Sequence, residues 1–134
     1  MGKPANKAPR KNTVIIELDS VLLSAPRLNT LVTARVIEAL IDNGFEVIGL
    51  TTRQPSTDSF VRGRLLDMGV RLSAVMMRGT LDSRDYVELK QELFEMYQAH
   101  IAIWIDNDPD FVQEMLHRGV QVLRTLLTFE EEPE

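Results

Sequence analysis

The chain has no cysteine, which removes disulfides, zinc–thiolate sites and thiol nucleophiles together. It also has no long apolar run, and its longest ones fall far short of the roughly 20 residues that a membrane span requires. The amino-terminal stretch is basic and carries no apolar core of the signal-peptide kind, so a cytoplasmic protein with no membrane partner is expected. Positive charge is not in excess either: the net charge is −5. That balance argues against bulk attraction to a nucleic-acid backbone, although the distribution of charge matters more than its sum. Residues 1–12 hold four basic side chains and no acidic one, and residues 130–134 are acidic with one proline. Both ends are expected to be mobile and solvated. The domain plan is therefore a basic arm over 1–12, one domain over 13–125 and an acidic tail over 126–134.

What is present is the composition of a soluble globular chain. At 134 residues, 44% hydrophobic and 26% charged, it is long enough for one domain with a real core and too short for two ordinary ones. The organising stretch is VIIELDSVLL, residues 14–23. An apolar run that ends abruptly in carboxylates is a buried strand delivering acids to a sheet edge, because interior strands do not keep unpaired charges along their length. A period of two puts Glu17 and Asp19 on one side of the tip and Leu18 on the other. Two carboxylates there can hold a hard cation such as Mg²⁺ and face an oxyanion. Acids after a strand also serve as plain turn or helix-cap residues.

The rest of the chain alternates. Asn29 or Thr30 caps a helix to Asn43, with Leu31, Val32, Ala34, Val36, Ile37, Leu40 and Ile41 as its apolar face and Asn43-Gly44 as its stop. A strand over 45–50 ends at Thr51, Thr52 and Arg53. Ser56 or Thr57 caps a second helix carrying Phe60, Val61, Leu65, Leu66 and Met68, stopped by Gly69. A strand over 71–77 and a turn at Arg78, Gly79 and Thr80 follow. A helix from Asp82 to about Gln98 has Tyr86, Val87, Leu89, Leu93, Phe94, Met96 and Tyr97 as apolar positions, with Asp82 and Ser83 as caps. A strand over 101–105 ends in acid at Asp106, Asn107 and Asp108. Pro109 suits the first turn of a helix to Arg118, and a short strand over 120–123 closes the pattern. Five strands alternating with four helices predict an α/β fold, a three-layer αβα sandwich of Rossmann-like type with a mainly parallel sheet and no large cap. Glu17 and Asp19, then Thr51 to Arg53, then Asp106 to Asp108 all fall at the strands' carboxyl ends, where such sheets bind ligands.

These pieces, in this order, resemble the haloacid dehalogenase (HAD) superfamily of phosphotransferases, most closely the 3′-phosphatase domain of phage-type polynucleotide kinases, over about residues 13–124. VIIELDSVLL looks like the family's strand and Asp-x-Asp, and IGLTTR is similar to its strand and Ser/Thr-x-Arg. YVELKQELF puts Lys90 near its lysine, and IAIWIDND looks like its terminal acidic pair. The resemblance implies a Mg²⁺-dependent phosphomonoester phosphatase acting on a phosphorylated substrate such as a nucleic acid end or a nucleotide. It implies that Asp19 is the acid/base and that Thr51, with Thr52 beside it, binds phosphoryl oxygens. Lys90 would offset charge on nucleophile and phosphate, and Arg53 would touch the substrate's edge. Glu17, Asp19, Asp106 and Asn107 would surround Mg²⁺, with Asp108 assisting. Glu17 stands where the family has its attacking Asp. One extra methylene moves the attacking oxygen by about a bond length, and a misplacement of about 1 Å costs roughly a hundredfold in rate where alignment drives catalysis. The implied activity is correspondingly weak or absent. The alternative is a catalytically silent HAD-like module that binds a protein or a nucleotide.

Single residues carry ordinary readings as well. Lys90 sits among Glu88, Gln91 and Glu92 on a helical stretch where an exposed lysine is usual, and Arg53 can instead hydrogen-bond loop carbonyls. His117 suits a helix end, and His100 has no acidic neighbour. Trp104 and Met76-Met77 fit core or interface packing better than stacking on bases.

Overall fold

A computed structural model describes residues 11–23, 27–77, 79 and 83–125. Most of the basic arm, the acidic tail, the connection over 24–26, the turn residues Arg78 and Thr80 and the cap candidate Asp82 lie outside the described residues.

The strands are β1 (Thr13–Glu17), β2 (Glu46–Thr51), β3 (Ala74–Met77), β4 (Ile101–Ile105) and β5 (Val122–Leu123). The helices are α1 (Arg27–Asp42), α2 (Asp58–Asp67), α3 (Ser83–Tyr97) and α4 (Pro109–His117). The strands form one sheet in the order β3-β2-β1-β4-β5, and every pairing is parallel. β1 is buried at all of its positions, as a central strand covered on both faces must be. Its side chains alternate between two cores. Val14 and Ile16 join Ala34 and Ile37 of α1 and Val61 and Leu65 of α2. Ile15 joins Leu89, Leu93 and Phe94 of α3 and Phe111 and Met115 of α4. The expected three layers are therefore present, with α1 and α2 on one face and α3 and α4 on the other.

Helix ends follow local chemistry. Gly44, at φ +91°, lets the Phe45 amide turn back onto the Leu40 carbonyl at 3.1 Å, a left-handed step that a side chain would oppose. Asp108 caps α4 by accepting from the Asp110 amide at 3.0 Å, with Pro109 in the first turn.

Several expected details are corrected. α1 begins at Arg27, so Asn29 and Thr30 lie inside it rather than capping it; the Thr30 hydroxyl donates to the Leu22 carbonyl at 3.3 Å. Thr57 precedes α2 without a side-chain cap hydrogen bond, and its hydroxyl donates to the Gln54 carbonyl at 2.7 Å within a 3₁₀ turn, Pro55–Thr57. β3 starts at Ala74 and β5 at Val122, each later than expected. Leu31, Val32, Phe60, Leu66, Val87 and Met96 are exposed rather than core. Each helix packs on one side only, so a narrow stripe such as Val61 and Leu65 reaches the sheet and the flanking apolar positions remain in water.

Depth of burial separates two leucines of similar sequence context. Leu93 is 1% exposed and Leu66 is 70% exposed. Leu93→Ala is expected to cost about 2–5 kcal/mol of unfolding free energy and Leu66→Ala less than about 0.5 kcal/mol, as read from denaturant unfolding curves.

Candidate functional site

The register aligns three strand ends. Glu17 lies beside Leu50, Thr51 beside Met77, and Ile16 beside Ile105. The residues just beyond these ends therefore meet at one rim.

Asp106 follows β4 and is fully buried. Its carboxylate accepts from the Trp104 indole N–H at 3.1 Å and from the Asp108 amide at 2.9 Å. Its strongest partner is the Lys90 ammonium of α3, 2.8 Å away and itself 1% exposed. Lys90 Nζ also lies 3.6 Å from the Asp108 carboxylate. The Tyr86 ring centre is 4.8 Å from that nitrogen and the Phe111 ring centre 4.7 Å, so aromatic faces stabilise the cation where water is excluded.

At the end of β1, extended backbone stops at Glu17 and a single π turn, Asp19–Leu23, takes over. Strand alternation therefore orients Glu17 and Leu18, whereas the turn orients Asp19. Glu17 is 3% exposed. It accepts from the Asp19 and Ser20 amides, each at 3.0 Å, from the Ser20 hydroxyl, and from the Tyr86 hydroxyl at 2.6 Å. Asp19 points toward β2. It accepts from the Thr51 hydroxyl at 2.8 Å, the Thr52 amide at 3.3 Å and Arg53 Nε at 3.0 Å. The Asn107 amide group bridges to the Ser20 carbonyl at 3.4 Å and to Thr125 at 3.2 Å, and its carbonyl accepts from the Thr125 amide at 2.8 Å.

Glu17, Asp19, Ser20, Thr52, Tyr86, Lys90, Asp106, Asn107 and Asp108 line one pocket of about 320 Å³. Of the residues picked out from sequence, Glu17, Asp19, Thr52, Lys90, Asp106, Asn107 and Asp108 are thus brought together. Thr51 and Arg53 stand behind that lining, attached through Asp19. Among the described residues, four carboxylates face the cations Lys90 and Arg53, a formal excess of two negative charges. An anion entering alone would be repelled, and a cation is drawn in. Burial, then the neighbouring Glu17 carboxylate, push the Tyr86 hydroxyl far above its ordinary pKa. Tyr86 therefore remains a proton donor.

Among the described residues no three histidine or acidic side chains are gathered into a metal cage. Mg²⁺ does not need one, since it commonly takes one or two carboxylates and keeps its water and its substrate's phosphate oxygens. The donors here are oxygens with surplus negative charge, and Asp19 and Asp106 suit that ion in kind.

Tyr86 is the site residue that sequence reasoning missed, having been assigned to an apolar helix face. The signal was its spacing: it is four residues before Lys90, and residues i and i+4 share a helix face. If Lys90 reaches the site, so does Tyr86. Trp104 was correctly placed in the core, but its N–H on Asp106 was not foreseen.

Comparison with protein-family models returned no match, and comparison with curated proteins returned none either. No helix among the described residues is long and apolar enough to cross a membrane.

The two ion pairs differ in worth. Lys90→Met would leave Asp106 buried without its cation and is expected to cost about 3–5 kcal/mol. Arg53→Ala breaks a pair whose side chains are 33% and 25% exposed and should cost about 1 kcal/mol or less. Chemical denaturation of both variants measures the contrast.

Proposed function

We propose that this chain is a HAD-like cytoplasmic domain, related to the polynucleotide 3′-phosphatases, whose rim pocket binds Mg²⁺ and the phosphoryl group of a phosphomonoester. The observation that carries the reading is the meeting, in one pocket, of Glu17 and Asp19 from the end of β1, Thr52 from β2, Lys90 from α3 and Asp106 with Asn107 from β4. Those residues were selected from sequence as separate motifs, and chance seldom gathers four of them at one rim.

In this reading Asp19 and Asp106 hold the Mg²⁺, with Asn107 alongside, and the ion neutralises charge on the transferring group when bound. Lys90 pairs with Asp106 and orients it. Thr51 and the Thr52 amide fix Asp19, which would take a proton from a water attacking phosphorus and pass it to the leaving oxygen as the ester P–O bond breaks. Arg53, tied to Asp19 and partly exposed, meets the substrate beyond its phosphate. A rim that none of the described residues covers suits a large substrate such as a nucleic acid end.

A second reading, a catalytically silent module that binds a nucleotide or a protein partner, is favoured by one observation. Both Glu17 oxygens already accept hydrogen bonds, which leaves the position of the family's attacking carboxylate occupied.

Hydrolysis of a generic aryl phosphate with Mg²⁺ separates the two. The phosphatase reading expects slow turnover by the natural chain that Asp19→Asn lowers about a hundredfold or more. Turnover seen only in Glu17→Asp would establish the silent reading. Mg²⁺ at a hundred times its dissociation constant should also add about 2.7 kcal/mol to stability, and a melting temperature indifferent to Mg²⁺ would sink the metal site.

A further inference from the structure

Three of the donors to Glu17 belong to the turn that Glu17 itself opens: the Asp19 amide, the Ser20 amide and the Ser20 hydroxyl. The fourth comes from far along the chain. Tyr86, on α3, donates its hydroxyl to Oε2 at 2.6 Å. Oε2 thus serves the Asp19 amide and Tyr86, while Oε1 serves the Ser20 amide and hydroxyl. A carboxylate has about four lone-pair sites in all, so each of them is engaged. A carboxylate in that condition must give up a hydrogen bond before it can turn an electron pair to phosphorus or to a cation. At 3% exposure, Glu17 also has little access to water that could replace a lost donor.

Tyr86 is itself held in place. Its ring packs against the Lys90 ammonium, and that ammonium is paired with Asp106. Tyr86 and Lys90, one turn apart on α3, therefore clasp the acids at the ends of β1 and β4 from the same helix face.

We infer that Tyr86 is a positioning residue whose hydroxyl locks Glu17 as the cap of the Asp19–Leu23 turn, withholding Glu17 from cation and phosphoryl group and leaving those to Asp19 and Asp106. The lock stands on hydrogen bonds alone. Its consequence for metal rests on the reading of the pocket as a Mg²⁺ and phosphoryl site.

The test uses the full chain, Tyr86→Phe, Glu17→Gln and the double variant. In metal-free unfolding experiments, each single change lowers stability and the double variant loses less than the two together, with a coupling of about tenfold in the unfolding constant. Additive effects, within about twofold, overturn the lock. Near-ultraviolet difference absorption gives a second measurement that needs no stability data: Glu17→Gln removes the charged acceptor from the Tyr86 hydroxyl and shifts the tyrosine band, and an unshifted band overturns the lock. Calorimetric titration with Mg²⁺ reads the consequence. Tyr86→Phe frees one lone-pair site on Glu17 Oε2, which the Asp19 amide still shares, and binds Mg²⁺ several-fold more tightly than the natural chain. A tyrosine of purely structural importance would leave that affinity unmoved, so equal affinities in two Mg²⁺-binding proteins overturn the withholding role. Absence of Mg²⁺ binding in both proteins, with the coupling and the band shift present, overturns the metal reading of the pocket and upholds the lock.

Discussion

The constraint on which this rim depends is the ion pair between Lys90 and Asp106, both essentially removed from water. Such a pair adds little net stability, because desolvation offsets much of the attraction, yet removing either member leaves a charge with nothing to answer it. Its effect is to specify position. Lys90 can satisfy its ammonium only where α3 lies against the end of β4, with Phe111 of α4 closing the other side. Once α3 is fixed there, Tyr86 falls one turn back, against Glu17. The placement of two acids on different strands thus follows from one helix register.

The layered fold was legible from the sequence because its signals are local and redundant. Apolar runs of strand length, helical spacing of Leu89, Leu93 and Phe94, and stops at Asn43-Gly44 and at Gly69 each act within a few residues. Side-chain exposure was less legible. Phe60 and Leu66 have the spacing of a core stripe, but whether a helix buries one row or two depends on how it sits on the sheet, and that is set by tertiary contacts. Arg53 and Arg64 lie over the Phe60 ring, covering some of its apolar surface in a way that spacing alone does not announce. The cap at Thr30 was not legible because α1 begins earlier, at Arg27, and Thr57 stands at the start of α2 without a side-chain cap hydrogen bond. Lys90 looked like an ordinary surface lysine because its neighbours Glu88 and Glu92 are indeed exposed. Only its place on the inward row distinguishes it.

At the site itself the two sequence readings of the acids are compatible. Asp106 receives the Asp108 amide and Asp108 receives the Asp110 amide, and Glu17 receives the amides of its own turn. These acids are turn and cap residues in the plain sense. They also line the pocket, and a carboxylate hydrogen-bonded to a tight turn is fixed in direction. The same acids shape the rim and give it its negative potential, and substitution at any of them changes backbone geometry and electrostatics together.

The central place of β1 has a further effect, on how the molecule is made. β1 pairs with β2 on one side across a single helix, but on the other side Val14 must find Ile103, most of the domain later in the chain. Loop closure over such a span is slow compared with local zipping. During synthesis the leading half can assemble before β4 has left the ribosome, and for that interval β1 presents a bare apolar edge. An open edge of this kind is a template for strands of other nascent chains. Between the emergence of β2 and that of β4, this edge is the part of the chain most open to pairing with a foreign strand.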